Sequence, residues 1–255
     1  MAAMRTQFRR VAVVQLTVTT WNLQGSKGVD AEFVARHARE QGADVLLLQE
    51  VQRKQARRIA RALDARSHRW ALKHWPVRIP AEGMAIIGVT RPVTGVRSWA
   101  VTRRWAFWSW RRRLIQIGHV DDLSVVNVHL TPHGPTSDAD RAAEVRWLLG
   151  RMEEAGPAIV GGDFNADPTD GVLVSLTDAG LGDAWLAAHP DDADGGLTNW
   201  SGRRNRPPMR RIDYLWASDA VGVDDVAVPP YADDPAFAPY PALSDHLPLT
   251  VRLKV

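Results

Sequence analysis

The sequence predicts an α/β domain in which two packed sheets carry helices on their outer faces. Three observations point there. Expected strands outnumber expected helices, the helices are interspersed without a regular βαβ alternation, and no linker, repeat or low-complexity segment divides residues 1–255. Two sheets face to face, with helices outside, bury every apolar face that such a chain presents. One domain over 1–255 is the expectation, with residues 1–15 as a poorly ordered or edge N-terminal extension.

The elements follow in order. Residues 16–22 are β-branched and alternating, which predicts a strand ending at Asn22. Gly25 to Gly28 forms a turn, and Ala31, Val34, Ala35 and Ala38 follow the i, i+3, i+4, i+7 template of a helix that Gly42 stops. Val45 to Leu48 is a second, buried strand running into Gln49-Glu50, and Ala56, Ile59, Ala60 and Leu63 repeat the helical template. Gly83 to Gly88 and Val93 to Val101 predict two more strands. Residues 113–120 and 123–130 flank Asp121-Asp122 as a hairpin, and the second strand carries His129 near its end. Ser137 is placed to cap a helix carrying Val145, Leu148, Leu149 and Met152. Ala158 to Val160 is a short buried strand, with a short helix following near 170–178. The stretch from Ala188 to Pro208 is rich in Asp, Gly, Asn, Arg and Pro and is expected to be a long surface loop. Arg211 to Ala217 predicts a strand with Asp213 near its start. A Pro-rich loop over 229–241 follows, and then Ser244-Asp245-His246 leads into a last strand, Leu249 to Leu253.

Composition narrows the function classes. A chain that is 45% hydrophobic and 24% charged can fill a core, and a formal charge of +3 gives only weak general attraction for polyanions. With no cysteine, disulfides, thiolate metal sites and Cys nucleophiles are excluded. Met1 to Arg10 carries basic residues, but Val11 to Leu16 is too short and polar for a signal peptide, and no apolar stretch approaches membrane-spanning length. A soluble, cytoplasmic monomer is the default expectation.

The most informative stretch is Gly161-Gly162-Asp163-Phe164-Asn165-Ala166-Asp167-Pro168, directly after a buried strand. Glycines close the strand where the backbone turns tightly, and Asp163 and Asn165 leave it two positions apart, so their side chains can point the same way. An anionic oxygen and a neutral amide on a rigid element suit positioning a water and gripping a phosphate oxygen. An Asx-rich turn capping the next helix is the plainer alternative. Asn22, Glu50, His129, Asp213, Asp245 and His246 also lie at or beside strand ends. Each has a structural explanation alone: Glu50 as a helix-start acid, His129 as a satisfied core histidine, Asp245-His246 as a capped turn. Jointly they are harder to explain that way, because chance would scatter them over both ends and the middles of strands. A lone carboxylate with amide and His neighbours suits Mg²⁺, which takes few protein ligands and keeps several waters. Zinc fits less well without HExxH or cysteine, and there is no Walker-type loop, GxGxxG or GxSxG.

Trp21-Asn22-Leu23-Gln24-Gly25, Gln49-Glu50, Asn127-Val128-His129-Leu130, Gly162-Asp163-Phe164-Asn165, Arg211-Ile212-Asp213-Tyr214 and Ser244-Asp245-His246-Leu247-Pro248 stand in the order and spacing of the endonuclease/exonuclease/phosphatase family, which the chain resembles over residues 16–253. The resemblance implies a four-layer α/β/β/α sandwich of two mixed sheets flanked by helices, and Mg²⁺-dependent phosphoester hydrolysis, with Mn²⁺ as a possible substitute. It also implies roles. Glu50 is the principal metal ligand with Asn22 beside it, and Asp245 supports the metal side. Asp163 orients or deprotonates the attacking water, and Asn165 holds a phosphate oxygen. His246 is a base or phosphate ligand oriented by Asp213, and His129 donates to a phosphate or leaving oxygen.

The core motifs imply the reaction, and the substrate must come from the loops. His129 after Asn127-Val128 resembles the deoxyribonuclease I, sphingomyelinase and inositol-phosphatase branches. Abasic-site endonucleases carry a Tyr nearby, where this chain has only Tyr214, Tyr231 and Tyr240 in all. Arg103 to Arg113 interleaves basic and aromatic residues, including Trp108 and Arg111, and suits phosphate contact with base stacking. A lipid headgroup surface and a plain two-sided hairpin are the alternatives. Arg203, Arg204, Arg206, Arg210 and Arg211 form a second basic run just before Asp213, with a solvated loop as the alternative. The expected substrate is therefore nucleic acid, contacted by Arg210, Arg211, Arg111 and Trp108. A phospholipid or inositol phosphate is second, and a non-catalytic scaffold is the remote third.

Overall fold

A computed structural model describes residues 15–76, 81–106, 109–133, 137–152, 156–201, 206–232 and 235–255. The expected N-terminal extension therefore lies outside the described residues, apart from Gln15. Two mixed six-stranded sheets stack face to face. The first runs in the order β11 (Gly222–Ala227), β12 (Leu249–Lys254), β1 (Gln15–Asn22), β2 (Val45–Val51), β4 (Glu82–Gly88), β3 (Ser67–Pro76). The second runs β5 (Thr94–Ala106), β6 (Ser109–Val120), β7 (Leu123–His129), β8 (Ala158–Asp163), β10 (Asp213–Ser218), β9 (Leu181–Asp183). Backbone pairing of His74–Pro76 with Ser109–Arg111 joins the two. The central pairs β1–β2 and β7–β8 are parallel, and their outer neighbours are antiparallel.

The layers follow from strand alternation. In β2, Val45 and Leu47 point into the inter-sheet core with Val18, Ile86, Ile159 and Leu215. Leu46 and Leu48 point the other way, onto Phe33, Val34 and Ala38 of α1 (Ala31–Glu40) and Ala56 and Ile59 of α2 (Arg53–Ala62). In the second sheet Val125 faces the inter-sheet core. Val126 and Val128 instead meet Val145 and Leu148 of α3 (Ser137–Met152) and Leu173 and Leu176 of α4 (Gly171–Asp178). Each fully buried aliphatic side chain contributes about 1.5–3 kcal/mol, so three such interfaces hold the sandwich. The four layers match the expectation.

Several elements depart from the sequence reading. The β3 strand was not expected, because Ser-His-Arg-Trp-Ala-Leu-Lys-His has no two-residue hydrophobic alternation. Its pairing with β4 and β6 holds it as a strand. The β11 edge strand carries two aspartates and a register shift between Val223 and Asp225, and β9, α5 (Ala184–Ala188) and α6 (Pro239–Leu243) are too short for a periodic signal. The segment expected as surface loop dips inward: Thr198, Asn199 and Trp200 are buried, Trp200 against Phe237 and Leu247.

His37 on α1 lies in an aromatic cluster with Trp21, Phe33 and Tyr240, and its Nδ1 is 2.9 Å from the Tyr240 hydroxyl. Burial lowers its pKa to about 4, so the fold holds it neutral. Its contribution is complete above the ordinary value near 6.5 and is lost as pH falls towards 4, because the unfolded chain then binds a proton that the folded one refuses. Thermal denaturation between pH 7 and 4 should show an acid loss of up to about 3 kcal/mol that His37→Leu removes. An equally steep loss in the variant would place the acid sensitivity elsewhere.

Candidate active site

The site is assembled at one rim of the sandwich by strand register. His129, Asp163 and Asp213 are direct neighbours across β7, β8 and β10, so one row of the second sheet carries all three. On the first sheet Asn22 closes β1, paired with Gln49 of β2. Glu50 follows at φ 49°, where the β2–β4 register shifts between Leu48 and Val51. That bulge breaks the inward-outward alternation, and a non-glycine residue in the left-handed region costs on the order of 1 kcal/mol. Gly162 has a φ of 149°, and a Cβ there would lie 2.0 Å from the Val128 carbonyl oxygen. Only glycine lets β8 press this closely on β7 one residue before Asp163.

Contacts across the gap tie the two rows together. Asn22 Nδ2 donates to Asp163 Oδ2 at 2.9 Å. His129 Nε2 stands 3.8 Å from Glu50 Oε1 and 3.7 Å from Asp163 Oδ2, so the two carboxylates face one another across a single imidazole. Asp163 Oδ1 accepts from the Asn165 backbone N–H at 2.9 Å, and the Asn165 side-chain amide donates to the Leu130 carbonyl at 3.1 Å. Asp213 Oδ2 lies 2.8 Å from His246 Nδ1 and accepts from Thr198 Oγ1 at 2.6 Å. His246 Nε2 is 4.0 Å from Asp163 Oδ2. Asp245 Oδ2 accepts from Gln24 Nε2 at 3.0 Å, and the Gln24 backbone N–H donates to Asn22 Oδ1 at 3.1 Å. Asn22, Glu50, His129, Asp163, Asn165, Asp213, Asp245 and His246 thus form one connected cluster.

Beneath it, buried amides bridge the sheets. Gln49 Nε2 donates to Asn127 Oδ1 at 2.7 Å, and Asn127 Nδ2 donates to Gln116 Oε1 at 3.1 Å and to the Leu48 and Ala85 carbonyls. Two residues from the sequence motifs, Gln49 and Asn127, therefore support the site from below.

Burial and neighbouring charge set the protonation pattern. Burial disfavours the charged form of His246, but the Asp213 charge and hydrogen bond, with Asp163 and Asp245, raise it to about 10, an imidazolium at neutral pH. Burial raises Asp163 to about 6, against the pull of His246. Burial would also raise Glu50, but Lys73, His246 and Arg113 together outweigh it and hold the carboxylate below its usual range. Lys73 Nζ donates to Glu50 Oε1 at 2.8 Å from a buried position on β3.

The donor set fits a hard divalent cation. The rim sets the carboxylates of Glu50, Asp163 and Asp213 about His129 and His246, with the Asn22 amide on Asp163 and Asp245 joined through Gln24, and Asp213 Oδ1 is buried without a hydrogen-bond partner. Anionic oxygen exceeds what protein donors satisfy, which is the chemistry Mg²⁺ or Mn²⁺ requires. Ligand atoms of Asp163, Asp213 and His246 lie within 4.8 Å of one another, a spacing that could hold an ion. The partly open Glu50 carboxylate stands across His129 from this group.

The residues expected to contact substrate are placed differently. Arg210 bonds Asp167 through Nη2 at 2.7 Å and Nε at 3.0 Å, beside His133, and stays partly exposed. Arg211 is buried, its Nη1 2.8 Å from Asp183 Oδ2 and its guanidinium over the Tyr214 ring, so it is enclosed rather than offered to the rim. The backbone of Arg111 in β6 pairs with His74 of β3 and Arg104 of β5, its side chain lies outside the described residues, and so does Trp108. Sequence reasoning missed Lys73, Thr198 and Gln24 as parts of the network. A lysine closing Trp70-Ala71-Leu72 was the available signal for the first. Nothing local marks Thr198, whose partner depends on how its loop folds.

A profile of the Endonuclease/Exonuclease/phosphatase family matches residues 19–246. No curated protein sequence matches the chain. Among solved structures, an endonuclease/exonuclease/phosphatase from Beutenbergia cavernae superposes with a TM-score of 0.76 at 23% identity, over 94% of this chain and 72% of that one. The 3′ phosphatase NExo from Neisseria, bound to a product DNA hairpin, gives 0.71 at 22% identity over 92% and 98%. A mannosyl-6-phosphatase from Bacteroides thetaiotaomicron gives 0.68 at 21% identity over 93% and 99%.

Calorimetric titration with Mn²⁺ tests the cation assignment without any turnover. Glu50→Gln should weaken binding by about tenfold or more, and Lys73→Met, which frees Glu50 Oε1 from a competing ammonium, should tighten it by roughly tenfold. Equal affinity in Lys73→Met and the parent would remove Lys73 from the cation site.

Proposed function

The chain belongs to the endonuclease/exonuclease/phosphatase family of phosphoester hydrolases, and we propose that it hydrolyses nucleic-acid phosphodiesters with a divalent cation, Mg²⁺ or Mn²⁺, held by Glu50, Asp245 and Asn22. The observation that carries the reaction is the convergence of Glu50, His129, Asp163 and the Asp213–His246 pair on one rim. When bound, the cation supplies positive charge against the phosphoryl oxygens, the main need in such a displacement.

The remaining steps belong to the protein's own side chains. Asp163, raised to about 6 and fixed through both oxygens by Asn22 and Asn165, holds a water and accepts its proton as the new P–O bond forms. The imidazolium of His246 donates from Nε2 to a phosphoryl oxygen, while Asp213 and Thr198 hold the ring in orientation. The P–O bond to the leaving oxygen breaks, and His129 faces the same space to donate a hydrogen bond to that oxygen. The exposed side of Asn165 grips a second phosphoryl oxygen.

Arg210, partly exposed beside Asp167 and three residues before the strand that opens at Asp213, supports a polyanionic substrate over a neutral one. A small phosphomonoester is the second reading, favoured by the likeness to the mannosyl-6-phosphatase at the level of fold.

Glu50→Ala, Asp163→Asn and His246→Ala should each lower turnover by on the order of a hundredfold or more, with folding checked by circular dichroism. Thr198→Val should lower kcat by about tenfold with little change in KM, since Thr198 orients the Asp213–His246 pair and touches no substrate. A side-by-side assay of plasmid DNA, abasic duplex, RNA, sphingomyelin, an inositol phosphate and a sugar phosphate tests the substrate, with Mg²⁺, Mn²⁺ or chelator. Cleavage confined to the last three would replace nucleic acid with the lipid or monoester reading.

A further inference from the structure

Two sets of cations in this chain contrast. Arg91, Arg141, Arg210, Arg211, Arg252, Lys254 and Lys73 are each paired with a carboxylate. Arg53, Lys54, Arg57, Arg58 and Arg61 on α2, with Arg66 and Arg69 just beyond it, are all exposed. Among the described residues, no side chain of these seven is in an ion pair or a hydrogen bond. Residues 53–69 hold these seven cations and a single acid, Asp64, so this one stretch outweighs the formal +3 of the whole chain. Unmatched like charges on one helix face repel one another and destabilise it. Nothing in the fold requires them there: Ala56, Ile59 and Ala60 make the buried contacts, and the Gln52–Gln55 capping box holds the first turn.

Geometry gives the face a direction and a floor. The α2 helix starts three residues after Glu50, at the rim, and Arg53 to Arg61 descend the outer flank of the first sheet over about 12 Å at 1.5 Å per residue. A shallow depression of ≈ 150 Å³ is walled by Lys54, Arg57, Arg58 and Arg61 and by no acid. Past Arg61 the surface changes character. Asp30 and Glu32 of the α1 start face Arg58 and Arg61 across a larger groove, which closes the cationic track at that end.

We propose that the outer face of α2 is a docking surface for the phosphodiester backbone of nucleic acid, seating the part of the polymer that continues past the cleavage site. This deepens, and rests on, the nucleic-acid reading of the rim. Charge complementarity selects a polyanion, since arginine forks and a lysine in an acid-free depression match phosphate oxygens without reading bases. An anionic membrane fits less well. Ala56, Ile59 and Ala60 of α2 are committed to the core, and the exposed residues of the helix are all cations, with no large apolar side chain among them to enter a bilayer.

The test uses the full chain and a triple variant, Arg57→Ser/Arg58→Ser/Arg61→Ser, at exposed positions. A matching triple variant to lysine keeps the charge. Fluorescence anisotropy with a labelled DNA duplex, titrated at several salt concentrations, reads the surface. Hydrolysis of bis(p-nitrophenyl) phosphate, too small to span rim and flank, reads the rim. The serine variant should bind DNA about tenfold or more weakly, with a salt slope shallower by about two to three, and should lose turnover on DNA relative to the small diester. The lysine variant should keep most of the affinity. DNA affinity and slope equal to the parent in the serine variant overturn the α2 proposal while leaving the nucleic-acid reading intact. Salt-insensitive or absent DNA binding by the parent, with the small diester still cleaved, overturns the nucleic-acid reading and this proposal with it. Binding to phosphatidylserine vesicles but not to DNA, lost in the serine variant, reassigns the face to a membrane and overturns the proposal.

Discussion

The buried amide bridge between the sheets, Gln49 to Asn127 to Gln116, is the constraint on which the rest of the structure depends. Apolar faces hold two sheets together but allow them to slide, because hydrophobic contact has no direction. Amides in the same interior do not allow it. Each must keep its partners, and a buried donor or acceptor left unpaired costs on the order of 1–3 kcal/mol. Asn127 alone donates to Gln116 and to the Leu48 and Ala85 carbonyls while accepting from Gln49, so it binds two strands of the opposing sheet as well as its own neighbour. This fixes the relative position of β2 and β7. One or two residues further along the same strands stand Glu50 and His129, and their separation is inherited from the bridge below.

With the frame fixed, the rim can hold an arrangement that would not be stable by itself. The carboxylates of Glu50, Asp163 and Asp213 stand around two imidazoles, one oxygen of Asp213 has no hydrogen-bond partner, and Glu50 sits in a left-handed backbone conformation. Lys73 and His246 offset part of this charge from within the protein, and burial keeps Asp163 above its ordinary value. The imbalance is the physical basis of the proposed cation site. On the flank the balance is reversed: α2 carries cations without acids, and the polar rim lies where the two fields meet. A phosphodiester polymer has the charge to engage both.

Much of this was legible in the residues. The alternation of Val45, Leu46, Leu47 and Leu48 reports a strand buried on both faces. That already requires helices on one side and a second sheet on the other. Polar residues at the ends of such strands mark a rim, and two of them, Asp163 and Asn165, share a rigid strand end that glycines make tight. The less legible parts depend on partners far along the chain. The strand β3 is mixed in polarity because it lies at a sheet margin, and Lys73 within it makes sense only once Glu50 is brought to within 2.8 Å. Thr198 belongs to a segment with loop composition that is drawn inward by Trp200. Arg211 has the composition of a substrate contact, and its burial against Asp183 follows from a short strand and helix that leave no periodic signal.

By itself, the sequence determined the layers, the strand ends and the type of chemistry, because alternation and residue type act locally and each residue carries its own period and its own donor atoms. Tertiary structure alone decided which side chains meet. It set Glu50 against Asp163 across one imidazole, gave Lys73 to Glu50 and Thr198 to Asp213, enclosed Arg211, and left the α2 cations open. Pairing of charges depends on distances between residues remote in sequence, and those distances exist only after the sheets have closed on their buried amides.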